Sequence, residues 1–210
     1  MFRFRAIINN TYRRQLIDEY LDKYKYLYKG NVIDIGGKKK NPRGFFKPPF
    51  SKVHCWDYLN NDKNTNPDII SELPIIDVQD KKYDVALLSE VIEYIYSYES
   101  LLKEINRILK KDGILIISSP FHNKVHGDYE KDYFRFTKSF FKIALKKNNF
   151  EIVSIEEMGG KFDVIADFLR PKKVLFIIFF YFLISFLKKL FSNHNNYQIT
   201  TGYFIIATKI

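Results

Sequence analysis

A short β-rich run that carries one acid and ends on paired glycines constrains this chain most. Residues 31 to 37 read Asn-Val-Ile-Asp-Ile-Gly-Gly, and a second strand-like run, Lys52 to Trp56, ends at Asp57, 23 positions after Asp34. In an open parallel α/β sheet, ligands bind outside the carboxyl ends of the strands, where glycines let the backbone approach without a Cβ. A carboxylate at the next strand end can accept hydrogen bonds from two vicinal ribose hydroxyls. The pattern indicates a nucleoside pocket, although it also occurs in α/β proteins without one.

The following segments alternate between buried strands and an amphipathic helix. Tyr83 to Ser89 predicts a buried strand. Apolar residues at helical spacing follow it, namely Leu101, Leu102, Ile105, Ile108 and Leu109. Lys110 to Gly113 is expected to close that helix with basic residues and a glycine C-cap. Ile114 to Ser118 then predicts another buried strand, which ends at Ser119 and Pro120.

This order of segments resembles the class I S-adenosylmethionine-dependent methyltransferases, in the branch related to ubiquinone and menaquinone methylation and to surface-glycan clusters. The matching stretches are Val32-Ile-Asp-Ile-Gly-Gly, Asp68-Ile-Ile-Ser-Glu-Leu, Tyr83 to Glu93, Glu104 to Pro120, and Asp132-Tyr-Phe-Arg-Phe-Thr. The resemblance implies an α/β, Rossmann-like sheet of seven mostly parallel strands with an antiparallel last strand and helices on both faces. It also implies S-adenosylmethionine as the cofactor and methyl transfer as the reaction.

The resemblance further implies which residues meet the cofactor. Asp34 would face its amino end through the turn formed by Gly36 and Gly37, and Gly36 would lie under its methionine part. Asp57 would bind the ribose. An alternative for Asp34 is that its carboxylate only caps the loop.

Two further pairs complete this expected cofactor site. Glu72 and Leu73 match the acidic and apolar pair that meets the adenine, and Ser89 and Glu90 match the strand end beside the methionine carboxylate. The alternatives are that Glu72 is a solvated loop charge and that Glu90 is an acid favoured by a helix N-terminus.

Two departures from the family pattern leave a second interpretation open. Pro42, Pro48 and Pro49 are expected to break any full helix after the glycine turn, and Tyr94 stands where the family often has a histidine. A tyrosine is a poor base at neutral pH. The alternative function is therefore a catalytically silent member of the fold that acts as a membrane-associated scaffold or binding module.

A polar cluster after the strand that ends at Pro120 is the predicted acceptor side. His122 or His126 is the candidate base for an oxygen acceptor, because histidine titrates near pH 7. Arg135, near Asp132, is the candidate for binding an anionic acceptor. Alternatively, Asp132 and Arg135 form a local ion pair. Thr137 is the expected N-cap of the next helix.

Composition narrows the classes of partner. Lys and Arg outnumber Asp and Glu by 34 to 24, and the net charge of +10 favours an anionic partner or surface. Because the lysines are scattered and form no basic stripe with stacking aromatics, we do not expect nucleic acid. The single cysteine, Cys55, excludes an internal disulfide and fits a reducing cytosol. No ligand pair appears on a helix, so we predict no metal.

Residues 1–210 are expected to form a single methyltransferase domain without a cleaved signal. Residues 11–28 predict an amphipathic helix that packs beside the sheet. Residues 172–191 form a hydrophobic insert before the last strand, and its positions 174 to 187 carry no charge. Lysines bracket this run, so we expect it to contact a membrane, and the alternative is a buried element.

Together these features predict a cytoplasmic methyltransferase, peripheral on the inner face of the membrane. Its expected reaction is O-methylation of a lipid-linked or glycan precursor, which makes the acceptor a small molecule or a lipid-linked glycan.

Overall fold

The computed structural model describes residues 11–40, 44–125, 127, 129–169, 174–190 and 199–210. Within these ranges the strands are β1 (Gly30–Ile35), β2 (Val53–Asn60), β3 (Ile69–Ile70), β4 (Tyr83–Ser89), β5 (Leu109–Pro120), β6 (Phe150–Met158) and β7 (Gly202–Lys209). The α-helices are α1 (Tyr12–Lys23), α2 (Tyr98–Ile108), α3 (Lys138–Lys147), α4 (Lys161–Phe168) and α5 (Val174–Leu190).

The strands form one seven-stranded sheet in the order β3-β2-β1-β4-β5-β7-β6. The pairs among β1 to β5 are parallel, and β7 is antiparallel to both β5 and β6. The predicted mostly parallel sheet with an antiparallel last strand is therefore confirmed. β7 is an interior strand of the sheet, since it lies between β5 and β6. Its residues 202 to 207 are all buried, which suits an interior strand better than an edge.

Two apolar layers cover the sheet. On one face, Ile33, Leu88 and Ile117 pack with residues of α2 and α3. On the other face, Val32 and Leu87 pack with residues of α1. Alternate strand residues point to opposite faces, so neighbours such as residues 32 and 33 enter different layers.

Helix α1 lies within residues 11–28, where an amphipathic helix was expected, and is shorter than that range. Thr11 caps its start, because the Thr11 side chain accepts a hydrogen bond from the backbone N–H of Arg14. A 3₁₀ turn, Lys25–Leu27, follows after the helix ends at Lys23. Ile17 and Leu21 are buried against the sheet, as the spacing predicts.

The expected glycine C-cap at the end of α2 is wrong. The helix ends at Ile108, and Lys110 to Gly113 already belong to β5. Asp112, with φ of 60°, takes the left-handed conformation there. An added Cβ at Gly113 would lie 2.9 Å from the carbonyl oxygen of Lys110, so the glycine is required by close packing.

The connection from β1 to β2 contains no α-helix in its described part, as the prolines predict. Its Phe45 backbone N–H donates to the Asp18 carboxylate of α1 over 2.7 Å, so this segment packs beside α1. The described residues of the expected insert, 172–191, form helix α5, which follows α4 and precedes β7. No helix in the described ranges combines the length and apolarity needed to cross a membrane.

Candidate cofactor site

A cavity of about 400 Å³ opens at the carboxyl ends of β1, β2 and β4. Among its lining residues are Gly36, Asn60, Asn61, Glu72, Leu73 and Tyr94. This is the edge at which open α/β sheets bind ligands, and the volume is within the range of small-molecule pockets. The structure therefore brings three of the eight predicted cofactor residues, Gly36, Glu72 and Leu73, into one cavity.

Gly36 forms the turn at the cavity floor. Its backbone N–H donates to the Leu59 carbonyl oxygen over 2.8 Å, and its φ is +78°. An added Cβ would lie 2.5 Å from a methyl carbon of Val91. Both the left-handed backbone and the lack of space require glycine at this position.

Asn60, which the sequence reasoning missed, holds this turn from β2. Its side-chain amide donates to the carbonyl oxygens of Gly36 and Gly37 over 3.2 and 2.9 Å. Its side-chain oxygen accepts from the Asp62 backbone N–H over 3.0 Å. The residue thereby joins the ends of two neighbouring strands. A signal was present, because the apolar residues Tyr58 and Leu59 continue the strand-like run past Asp57 up to Asn60.

Asp34 lies directly under Gly37, where an added Cβ would overlap its carboxyl group. Burial raises the pKa of Asp34 to about 7, and the nearby Trp56 indole and Arg14 charge oppose this shift. Desolvation disfavours the carboxylate form, so this acid changes charge near neutral pH. A positive group above the turn would favour its ionised form.

The structure does not bring Asp57 to the cavity, and the expectation that β2 ends there is wrong. Asp57 lies inside β2, in register with Ile33 of β1. Its carboxylate accepts hydrogen bonds from the Tyr83 hydroxyl over 2.6 Å and from the Lys82 ammonium over 3.0 Å. These two partners belong to the start of β4, far from its carboxyl end. Asn60 and Asn61 stand where the ribose carboxylate was expected.

Ser89 and Glu90 belong to a buried polar network beside the cavity. Arg13 of α1 is 2% exposed, and its guanidinium donates to the two Glu90 carboxylate oxygens over 2.7 and 2.5 Å. Ser118 donates to Glu90 over 3.1 Å, and its hydroxyl lies 2.9 Å from that of Ser89. Arg13 also donates to the Thr201 hydroxyl over 3.2 Å. Glu90 is thus an ion-pair partner of Arg13, and its contact with the cofactor stays a prediction.

Glu93 is a second acid that the sequence reasoning missed. It is fully buried, and its carbonyl oxygen accepts from the backbone N–H groups of Tyr133 and Phe134 over 3.0 and 3.3 Å. Burial, with the Glu90 charge as the second cause, raises the pKa of Glu93 well above its ordinary value. These contacts bring the segment around Tyr133 to the end of β4.

Arg13 could have been found from its spacing, because it precedes Ile17 by four residues on the buried face of α1. Glu93 has no comparable signal in the sequence.

On the predicted acceptor side, Arg135 forms a two-pronged ion pair with Asp132. The guanidinium donates to the two carboxylate oxygens over 2.5 and 2.6 Å, and the Asp132 side chain is inaccessible to solvent. This is the local ion pair that was the alternative interpretation. Thr137 accepts from the Phe140 backbone N–H over 3.2 Å, which confirms it as the N-cap of α3.

His122 is exposed, and its Nδ1 lies 3.0 Å from the Thr200 carbonyl oxygen. Because a carbonyl can only accept, Nδ1 carries the proton and Nε2 of the neutral ring is the proton acceptor. His122 does not line the cavity. His126, the other candidate base, lies outside the described residues. In the described part of the chain, no three His, Cys, Asp or Glu side chains group as a metal site requires.

Solved structures share this fold at low sequence identity. A SAM-dependent methyltransferase from Archaeoglobus fulgidus has a TM-score of 0.58 at 16% identity, over 99% of this chain and 99% of its own. Geranyl diphosphate methyltransferase in complex with SAM has a TM-score of 0.62 at 9% identity, over 92% and 84%. The 4+2 cyclase SpnF has a TM-score of 0.55 at 14% identity, over 92% and 79%. At these identities the likeness shows the fold alone, and one fold can host different reactions.

The sequence itself matches a family. No curated protein matches the chain significantly. The family profile described as Methyltransferase domain matches residues 10–155, which is more than half of the 210 residues. This range includes β1 to β5 and thus the cavity with its glycine turn. The chain therefore belongs to the methyltransferase-domain family.

Proposed function

We propose that this methyltransferase transfers a methyl group to a hydroxyl oxygen of a lipid-linked or glycan precursor. S-adenosylmethionine supplies a methyl group already activated on a sulfonium, so the protein has mainly to hold the acceptor oxygen in line. The residues that bind the acceptor therefore decide the specificity.

Two tyrosines at the cavity mouth carry this proposal. Tyr96 and Tyr133 line the same cavity as Gly36, yet their side chains are 75% and 47% exposed. Their rings meet edge to face with centroids 5.6 Å apart, and the Tyr96 ring lies nearly parallel to that of Phe134 at 6.0 Å. Aromatic faces fixed at a pocket mouth suit the C–H faces of a sugar ring, and the phenol groups can bond to its hydroxyls.

Lys131 lies on the same rim and is exposed. Its ammonium is a point charge suited to phosphate, the group that commonly joins a sugar to a lipid carrier. A sugar with an anionic linkage matches this combination of aromatic rings and one cation better than an apolar acceptor does.

The cavity residues suit S-adenosylmethionine at several points. Gly36 leaves the floor open for the methionine part, and Glu72 and Leu73 offer a carboxylate and an apolar side chain to the adenine. We infer that Asn61, whose exposed side chain lines the cavity, contacts the ribose in place of Asp57. An amide can donate to one hydroxyl and accept from the other. Asp34, under the turn, would balance the positive amino group.

For proton removal we propose His122. Its Nδ1 bond to the Thr200 carbonyl leaves Nε2 as the basic atom on an exposed ring. The methyl acceptor would bring its hydroxyl between this histidine and the cavity. Arg135 is engaged with Asp132, so its contribution would be to fix the backbone around Tyr133.

A lipid-linked acceptor presents its sugar at a membrane surface. We therefore propose that the protein is cytoplasmic and binds peripherally to the inner face of the membrane. The uncharged run at 174 to 187, bracketed by lysines, supports this location.

The test uses the purified full chain with methyl-tritiated S-adenosylmethionine and washed membranes of the organism of origin. We expect label in butanol-extractable lipid, released by mild acid as a water-soluble methyl sugar and stable to mild base, as an ether is. Asp57→Asn, which leaves the cavity lining intact, serves as the matched control and transfers label. Label released by base as methanol would contradict O-methylation of a hydroxyl. Binding of S-adenosylhomocysteine without any labelled product would favour the silent scaffold.

A further inference from the structure

Helix α5 exposes a stripe of large apolar side chains. The exposed fractions are 57% for Phe176, 66% for Phe179, 38% for Leu183, 62% for Phe186 and 62% for Leu190. These positions are separated by 3, 4, 3 and 4 residues. At about 100° per residue, this spacing places all five on one side of the helix. We call these five residues the α5 stripe.

A different side of α5 attaches it to the fold. Ile184 is 2% exposed and packs with Tyr12 of α1 and Ala166 of α4. The neighbouring helix α4 adds apolar surface, since Ile165 is 43% and Phe168 52% exposed. Exposed apolar area on this scale is uncommon on a soluble monomer and marks an interaction surface.

The charged residues that flank α5 along the sequence have one sign. From residue 168 to the C-terminus the sequence contains no Asp or Glu, whereas the 24 acids all precede that point. Basic residues bracket the apolar run on both sides, namely Arg170, Lys172, Lys173, Lys188 and Lys189. The Lys189 side chain is exposed. An apolar run flanked in sequence by basic residues is complementary to an anionic lipid surface.

The same charges argue against a second copy as the occupant. Because lysines stand at both ends of the run, packing the stripe against another α5 in either direction brings like charges together. A bilayer of anionic lipids instead offers a negative layer for the lysines above an apolar layer for the phenylalanines.

We propose that the α5 stripe inserts into an anionic phospholipid surface, with α5 lying in the plane of the interface. This proposal rests on the peripheral membrane location proposed above and adds the class of lipid that the protein binds. It does not depend on methyl transfer, so the two can fail separately.

The test is flotation of the full chain with phosphatidylcholine vesicles that either contain or lack phosphatidylglycerol. Phe179→Ser with Phe186→Ser should lower partitioning by about a hundredfold, about tenfold for each phenylalanine. The matched control, Ile143→Ser with Val153→Ser, changes two side chains that are 71% and 63% exposed on the body of the protein. It should change partitioning less than about twofold. Lys189→Gln should weaken binding about fivefold, only with phosphatidylglycerol.

Tryptophan fluorescence tests insertion with a variant that keeps the stripe apolar. The chain has one tryptophan, Trp56, which is 7% exposed in the core. Phe179→Trp should show a second emission that brominated phospholipids quench, whereas the wild-type emission should remain unquenched.

Three results would overturn the proposal. They are equal partitioning of the stripe variant and wild type, unquenched Phe179→Trp emission, and a dimer by light scattering that the stripe variant abolishes. Titration with S-adenosylhomocysteine on the same samples keeps the two proposals apart. Its failure in every sample would reject the cofactor site while leaving the lipid result standing.

Discussion

The raised pKa of Asp34 leads to a prediction about how stability depends on pH. The pKa of Asp34 is raised by burial to about 7 in the folded protein, against an ordinary value of 3.8. Between these values the folded chain keeps a proton that the unfolded chain releases. The contribution of Asp34 to stability should therefore fall as the pH rises from 4 to 7 and level off above the folded pKa.

The magnitude follows from the size of this shift. About three pKa units correspond to about 4 kcal/mol at 1.36 kcal/mol each, and the partial exposure of Asp34 reduces this to about 2 to 4 kcal/mol. Asp34→Asn keeps the shape and removes the titration. The free energy of unfolding of Asp34→Asn minus that of wild type should rise by this amount between pH 4 and pH 8.

Urea unfolding followed by circular dichroism at a series of pH values measures this difference. Asp22→Asn, at an exposed position on α1, removes the same charge and controls for net charge. All other titrating groups are common to both proteins and cancel. If the Asp34→Asn and wild-type curves ran parallel from pH 4 to pH 8, the argument from burial would be refuted.

The pH dependence of cofactor affinity is a second measure of the ionisation of Asp34. If the amino group of S-adenosylhomocysteine lies above Asp34, binding favours the ionised form and releases a proton. Affinity should then rise up to about tenfold per pH unit below the folded pKa, and Asp34→Asn should lose this rise. A pH-independent wild-type affinity would place the amino group elsewhere.

Further substitutions test residues in and around the cavity. Arg13→Met should lower the free energy of unfolding by about 3 to 5 kcal/mol, because it leaves the Glu90 carboxylate without its main counter-charge. Urea unfolding measures this change, and adding Glu90→Gln to Arg13→Met should restore part of the lost stability. An Arg13→Met protein as stable as wild type would show that the ion pair does not stabilise the fold. Gly36→Ala forces an alanine into a left-handed backbone conformation, which costs about 1 to 2 kcal/mol of stability. The variant should therefore bind S-adenosylhomocysteine more weakly in calorimetry, and an unaltered Kd would contradict this. In the same assay Asn61→Ala should weaken binding several-fold while Asp57→Asn leaves the Kd unchanged, and the reverse result would restore Asp57 as the ribose ligand.

Much of the fold follows from local patterns in the sequence. The buried strand Tyr83–Ser89 has the predicted bounds, since an apolar run between polar residues leaves little choice. The prolines after the glycine turn exclude a helix, and Thr137 begins α3, for reasons that involve only near neighbours. Gly36 and the pair Glu72 and Leu73 reach the cavity for similar reasons, because the ends of parallel strands meet at one edge.

The errors concern residues whose partners are distant in the sequence. Asp57 looks like a strand end because a charge interrupts an apolar run, yet Tyr83 satisfies it within the sheet. In the sheet, β2 pairs with β1 as far as Leu59 and with β3 at Asn60, so the strand continues past Asp57. An acid such as Glu93 is ordinarily exposed, so its burial follows from tertiary contacts that no local pattern encodes.

The polar network also explains why the cofactor edge of the sheet depends on both α1 and the segment that leads into β7. Arg13 joins Glu90, which follows β4, to Thr201, which precedes β7. Gly202 makes this possible, because any side chain there would overlap the Arg13 guanidinium. Arg13 thus supplies the positive charge for Glu90, while Thr201, 188 positions away in sequence, accepts a hydrogen bond from the same guanidinium. The cofactor edge is therefore complete only when α1 and β7 have both packed onto the sheet, even though its glycine turn lies between β1 and β2.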